Sequence, residues 1–198
     1  MVLASAPQLD KIYTVEEYFE LEKHSDIRHE FVNGKLIAML GESIVANRIA
    51  GNCSLPLQLA FEDTGYDILR HDIRAKINKN PIKSYRYPDV MMAKRVDITD
   101  THAVTKPILL IEVASDNSSK TDNDDKLREY TALPSTQYYL IVDQDEPLVK
   151  VYTRDEHGWR FDVFTELEEE IHLTKLNFTL KLSQIYKNVV FAESKSDE

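Results

Sequence analysis

Two carboxylates stand where charge is unexpected. Asp89 follows a proline in Tyr87-Pro88-Asp89-Val90, and Glu112 interrupts the apolar run Ile108-Leu109-Leu110-Ile111-Glu112-Val113. A charge in a buried strand is costly unless it is paired or bound to a metal. The apolar stretch before Glu112 places it near the end of its strand, at a sheet rim. Two carboxylates on neighbouring strands can hold one or two hard divalent ions, with water and phosphate oxygens completing the shell. Such an ion acidifies a bound water and neutralises charge on a phosphoryl transition state. The other reading is a Glu112 paired with Arg or Lys from a neighbouring strand.

Lys126 and Tyr130 lie four residues apart, so one helix would present them on one face. If Asp122 caps that helix, the face can point back to the end of the Glu112 strand. An ammonium there could orient an attacking water or stabilise charge on phosphorus. The plainer reading is an exposed Asp122–Lys126 pair worth less than about 1 kcal/mol.

Other chemistries find no support. The glycines Gly34, Gly41, Gly51, Gly65 and Gly158 are too scattered for a phosphate-cradling loop. There is no G-x-S-x-G elbow, and the six histidines form no H-x-x-x-H pair. Cys53, the one cysteine, excludes an internal disulfide and a site of several thiolates, and it reads as a small core residue.

The elements that must position these residues follow from pattern. Thr14-Val15-Glu16-Glu17 has the form of a capping box, opening a helix to about Lys23. Asn33-Gly34 marks a hairpin within His29–Leu40. Glu42–Asp63 reads as a helix that Pro56 should kink or split. Three strands are expected: Tyr66–Ile77, Tyr85–Ala93, with a turn at Asn80-Pro81, and Lys106–Ala114. A helix from Asp122 to Leu133 and a buried strand over Gln137–Val142 follow. A hairpin is expected over Leu148–Tyr152 and Trp159–Phe164, then a strand and short helix within Phe178–Val189. The order predicts an α/β (α+β mixed) fold, a central mixed sheet flanked by helices, with an N-terminal helix and hairpin. The expected organisation is a flexible arm over 1–12, one domain over 13–189 and an acidic tail over 190–198.

With 198 residues, 42% apolar and 29% charged, the composition is that of an ordinary folded domain and excludes wholesale disorder. No apolar run approaches the roughly 20 residues needed to span a bilayer, and the N-terminus lacks a secretory pattern. The expectation is a cytoplasmic protein without membrane association. The net charge of −10 argues against indiscriminate polyanion binding. Yet Arg70 to Arg95 holds eight basic residues and two acidic ones, a local +6 that leaves −16 elsewhere. That zone reads either as a solvated strand pair or as a phosphate-contacting surface that includes Arg74, Lys76 and Arg86.

Taken together, Pro88-Asp89 and Glu112-Val113-Ala114 in this order of elements resemble the PD-(D/E)XK nuclease superfamily. More narrowly, the chain resembles the Uma-two family of bacterial endonucleases from about Tyr13 to Val189. The matching pieces include His29-Glu30-Phe31-Val32-Asn33-Gly34, Ile37-Ala38-Met39, Asn47-Arg48-Ile49 and Tyr87-Pro88-Asp89-Val90. They continue through Leu110-Ile111-Glu112-Val113-Ala114-Ser115, Asp122 with Lys126 and Tyr130, and Tyr139-Leu140-Ile141-Val142-Asp143.

The resemblance implies a restriction endonuclease-like core and a DNA endonuclease that uses Mg²⁺ or Mn²⁺. It implies Asp89 and Glu112 as metal ligands, with the Val113 carbonyl as a further ligand. Glu30 is expected at the same site, and Lys126 as the lysine that assists the attacking water. Tyr130 packs beside that lysine and is a candidate substrate contact. A homodimer is also implied. The chain departs from the family at Ala114, where the superfamily lysine would stand, and at Ala46, where the family often has histidine. It departs again at Ser115-Asp116-Asn117-Ser118, and the acids Asp122, Asp124 and Asp125 follow. Two rival readings remain at this point. One is a non-catalytic module that binds nucleic acid or protein on the same fold, and the other is an oligomeric protein whose carboxylates are only ion-paired.

Overall fold

The computed structural model describes residues 11–39, 41–114 and 120–191. The expected N-terminal arm therefore falls outside the described residues over 1–10, the acidic tail over 192–198, and the loop after Glu112 over 115–119. The first helix, α1 (Val15–Glu22), carries the expected capping box. Thr14 Oγ1 accepts the Glu17 N–H at 3.1 Å, and the Glu17 carboxylate accepts the Thr14 N–H at 2.9 Å. The spacing of Tyr18 and Glu22 buries both on one face. Strands β1 (His29–Val32) and β2 (Lys35–Ala38) form the expected hairpin. Its turn puts Asn33 and Gly34 at positive φ, the conformation that Asn-Gly favours.

Helix α2 (Ile44–Phe61) is capped by the Ser43 hydroxyl and runs unbroken through Pro56. The expected split does not occur. Ile49, Cys53 and Leu57 pack into the core on both sides of the proline, and that burial offsets the one lost backbone donor.

Two expected strands are each broken. Tyr66–Ile77 divides into β3 (Tyr66–Arg70) and β4 (Arg74–Lys79), and Tyr85–Ala93 into β5 (Ile82–Arg86) and β6 (Val90–Lys94). The first break is at His71, with φ of 50°. The second is at Pro88, which has no N–H for a ladder. In both cases the two halves enter different sheets. The chain continues through β7 (Ala103–Val104), β8 (Pro107–Ala114), α3 (Lys120–Ala132) and β9 (Tyr138–Asp143). Asp122 lies inside α3 rather than at its cap. The hairpin of β10 (Val149–Arg154) and β11 (Trp159–Phe164) is as expected. The hairpin of β12 (Glu170–Leu173) and β13 (Phe178–Lys181) adds a strand that the pattern did not reveal, and α4 (Leu182–Ile185) follows.

The central sheet has six strands in the order β11-β10-β9-β8-β6-β3. It is mixed, as expected: β8 and β9 run parallel, joined by the α3 crossover, and the other pairs are antiparallel. A second sheet, β2-β1-β5-β4-β7, was not anticipated. Alternation along β6 and β8 sends Val90, Met92, Leu109 and Ile111 into a core with α2, the β12–β13 hairpin and α4. Met91 and Leu110 face the other way, into a core with Ala75, Ile77, Tyr130 and Leu133. Thus α3 and the second sheet cover one face, and α2 the other. No helix among the described residues is long and apolar enough to cross a membrane.

Leu109 is fully buried at the centre of this arrangement. Leu109→Ala is expected to lower unfolding free energy by about 2–5 kcal/mol through lost burial and the cavity left behind. Urea denaturation followed by circular dichroism measures it.

Candidate metal and nuclease site

Register brings the site together. Arg70 lies opposite Val90, and Val90 opposite Ile111. One step further along the same row are His71, Asp89 and Glu112, at one end of the central sheet. Pro88 frees Asp89 from the ladder, and its carboxylate turns to accept the Val113 N–H at 2.6 Å through Oδ2. Among the described residues, Oδ1 accepts no hydrogen bond. Val113 adjoins Asp89 through its amide N–H, whereas the expectation concerned its carbonyl.

Glu112 is buried, and both of its oxygens are engaged. Oε2 accepts from the Lys126 ammonium at 2.8 Å, and Oε1 from the Tyr130 hydroxyl at 2.7 Å. The i, i+4 spacing on α3 therefore points where the sequence suggested, and the Lys126 ammonium is also 3.9 Å from Glu30. Asp89, Glu112, Lys126 and Glu30 are gathered from β1, the β5–β6 link, β8 and α3.

Behind them lies an internal ion network. Arg86, 1% exposed, donates to Glu30 Oε2 at 2.6 Å and to Glu129 Oε2 at 2.7 Å. The Tyr87 N–H donates to Glu30 Oε1 at 3.3 Å. Arg74 is likewise buried, donating to the Tyr18 hydroxyl at 2.8 Å and to Glu22 at 3.2 Å. These two guanidiniums, placed in a phosphate-contacting zone by sequence, are committed to internal partners. Lys76 is half-buried, its ammonium 5.7 Å from the Tyr85 ring centroid. Glu129 escaped the sequence reading because α3 is polar along its length. The available signal was its spacing, one turn from Lys126 and adjacent to Tyr130.

Burial sets the electrostatics. It pushes the Asp89 carboxyl well above its usual range, helped by the nearby Glu112 charge and opposed by the Val113 N–H and Lys126. Glu112 is raised by burial too, against the pull of Lys126. Tyr130 is raised by burial and by the Glu112 charge it faces. For Arg86, burial disfavours the charge, but Glu129 and Glu30 outweigh it and its pKa rises. Cys53 is buried and its thiol is pushed up to about 12, which fits a core residue and not a nucleophile.

One further group was missed. Donor atoms of Glu42, His71 and Asp89 all lie within 4.8 Å of one another. His71 is eighteen positions from Asp89 in sequence, so no motif spacing reveals it; only the β3–β6 pairing does. Glu42 and His71 line a cavity of about 750 Å³ together with Arg28, Asn47 and Tyr87. The oxygen-rich donor set at this sheet end suits a divalent cation.

A parallel pair linked by a helical crossover and flanked by antiparallel strands is the restriction endonuclease-like architecture. A crystal structure of a "putative nuclease belonging to DUF820" from Anabaena variabilis ATCC 29413 shares the fold, with a TM-score of 0.71. The alignment covers 87% of this chain and 97% of that one at 17% identity. The model of the Uma2 family, described as "Putative restriction endonuclease", matches residues 15–183, and the chain belongs to that family. Two uncharacterized proteins of Synechocystis sp. (strain ATCC 27184 / PCC 6803 / Kazusa) are related. One, sll1609, is 37% identical over 68% of this chain and 76% of its own length. The other, slr1290, is 24% identical over 89% of this chain and 92% of its own.

Arg86→Ala should destabilise the fold by about 3–5 kcal/mol, because it leaves two buried carboxylates without their cation. Chemical denaturation checks this. Asp89→Asn acts in the opposite direction. A carboxyl whose pKa is raised by folding stabilises the native state below its unfolded pKa and loses that contribution as pH rises toward the folded value. In chelator at pH 7, Asp89→Asn should therefore raise stability by about 0.5–2 kcal/mol. The gain should shrink as pH falls through the unfolded Asp value of about 3.9 and vanish below about pH 3, where Asp89 is neutral in both states, and thermal melts across pH will show whether it does.

Proposed function

We propose that this chain is a metal-dependent endonuclease that hydrolyses phosphodiester bonds of DNA. The observation that carries the reading is the convergence of Asp89, Glu112 and the Lys126 ammonium at one sheet end, with Lys126 2.8 Å from Glu112. Membership of a family described as restriction endonucleases supports it. Asp89 and Glu112 would hold Mg²⁺ or Mn²⁺, with the Val113 carbonyl as a further ligand. When bound, the ion supplies an acidified water and neutralises charge on the phosphate.

The remaining work belongs to the chain. Lys126 orients the attacking water and stays close enough to stabilise the extra negative charge on phosphorus. Tyr130 donates to Glu112 Oε1 and fixes which oxygen faces the site. Glu30, Arg86 and Glu129 hold α3 and the Tyr87-Pro88-Asp89 link at a set separation. Arg74 and Arg86 act as internal supports, while Arg28 at the cavity rim and the half-buried Lys76 are the phosphate contacts in this reading. A homodimer would set two such sites on one duplex.

One observation favours a second reading. Both Glu112 oxygens are already filled by chain groups, as they would be in a binding module that never takes up metal at Glu112. The two readings separate on cleavage. Wild type should nick plasmid DNA with Mg²⁺ or Mn²⁺ and not in chelator. Glu112→Gln should remove that activity while leaving the circular dichroism unchanged. Absence of cleavage by folded wild type on plasmid and single-stranded DNA, or full activity in the variant, would overturn the nuclease reading.

A further inference from the structure

The proposed mechanism uses Asp89 on the side facing Glu112 and leaves the Glu42–His71 side unassigned. These two residues come from separate places: Glu42 precedes α2, and His71 lies in the link between β3 and β4. His71 Nδ1 is 3.0 Å from Glu42 Oε1. Two donors bound to one ion at about 2.1 Å sit about 3.0 Å apart when adjacent in the shell and about 4.2 Å apart when opposite. The three donors lie within 4.8 Å of one another, so shifts of a few tenths of an ångström bring them within the span of one shell. Glu42 is exposed and His71 half-buried, and both line the 750 Å³ cavity, so an ion has an entry path and room for waters.

A plain surface pair accounts for only part of this. An exposed Glu–His contact contributes little to stability. It does not explain why a second carboxylate, Asp89, converges on the same imidazole with its Oδ1 free of hydrogen bonds among the described residues. Two carboxylates around one ring nitrogen offer negative charge and three ligand atoms to a cation. Nitrogen in the donor set also discriminates: Mg²⁺ prefers oxygen alone, whereas first-row transition ions accept imidazole readily.

We propose that Glu42, His71 and Asp89 form a cation position on the cavity side of Asp89 that takes a transition-metal ion in preference to Mg²⁺. It is separate from the position between Asp89 and Glu112 and rests on the nuclease reading only in sharing Asp89. Glu42 and His71 give it a nitrogen ligand and solvent access that the Glu112 side lacks.

The test is Mn²⁺ alone, titrated into the full chain and followed by electron paramagnetic resonance, with a pulsed experiment to detect ¹⁴N coupling from imidazole. Wild type should bind Mn²⁺ with nitrogen coupling, and excess Mg²⁺ should displace it poorly. His71→Asn suits the positive φ at that position, so the fold should persist. It should lose the nitrogen signal and weaken Mn²⁺ binding at least tenfold. Glu42→Gln should weaken binding but keep the signal, and Glu112→Gln should keep the nitrogen-coupled Mn²⁺ while losing any Mn²⁺ held between Asp89 and Glu112. Bound Mn²⁺ without nitrogen coupling, unchanged affinity in His71→Asn, or no Mn²⁺ binding by folded wild type would each overturn the proposal. Metal-dependent cleavage without nitrogen coupling would sink this site and spare the nuclease reading. Coupling without cleavage would do the reverse.

Discussion

Charge alternates without a break through the interior from Glu112 to Lys126, Glu30, Arg86 and Glu129, with contacts of 2.8, 3.9, 2.6 and 2.7 Å. Desolvating five ionisable groups is unfavourable, and only close, fully paired geometry makes it tolerable. That requirement fixes the mutual positions of β1, β5, β8 and α3 more tightly than apolar packing would, because an apolar contact slides at little cost. The row contains three carboxylates and two cations, and Asp89 adds a further carboxylate at its open end. Among these named groups, carboxyls thus outnumber cations beside the cavity.

Stability and function pull in different directions at Asp89. Its burial and its proximity to Glu112 raise the cost of ionising it. A fold selected for stability alone would place an amide there. The carboxylate is therefore kept at a cost in stability that an amide would avoid.

Much of this was legible in the sequence, for identifiable reasons. The capping box, the Asn-Gly hairpin and the apolar run holding Glu112 are local signals, and each formed as expected. Proline, an isolated charge and helical spacing mark Asp89, Glu112 and Lys126 each within its own segment, and the family resemblance joined them into one site. The breaks at His71 and Pro88 were harder, because a strand pattern does not record a change of sheet. The second sheet and the residues that depend on it, Glu129 behind Arg86 and His71 beside Asp89, stayed hidden for that reason. Arg74 and Arg86 misled because a basic side chain on a strand looks the same whether its partner is solvent or a buried carboxylate. Glu22, Glu30 and Glu129 supply those partners from distant segments.

Helix α3 carries one more consequence. By composition it is a polar segment, yet its inner face sends Lys126 and Tyr130 to the two oxygens of Glu112 and Glu129 to Arg86. Adding or removing one residue ahead of Lys126 within the helix would rotate that face by about 100°. All three contacts would be lost together. Substitutions on the outer face of the same turns would leave them in place. Over evolutionary time such a segment can drift widely in composition while its length between β8 and Tyr130 holds constant. Relatives should therefore differ here by exchange of residues and rarely by gaps.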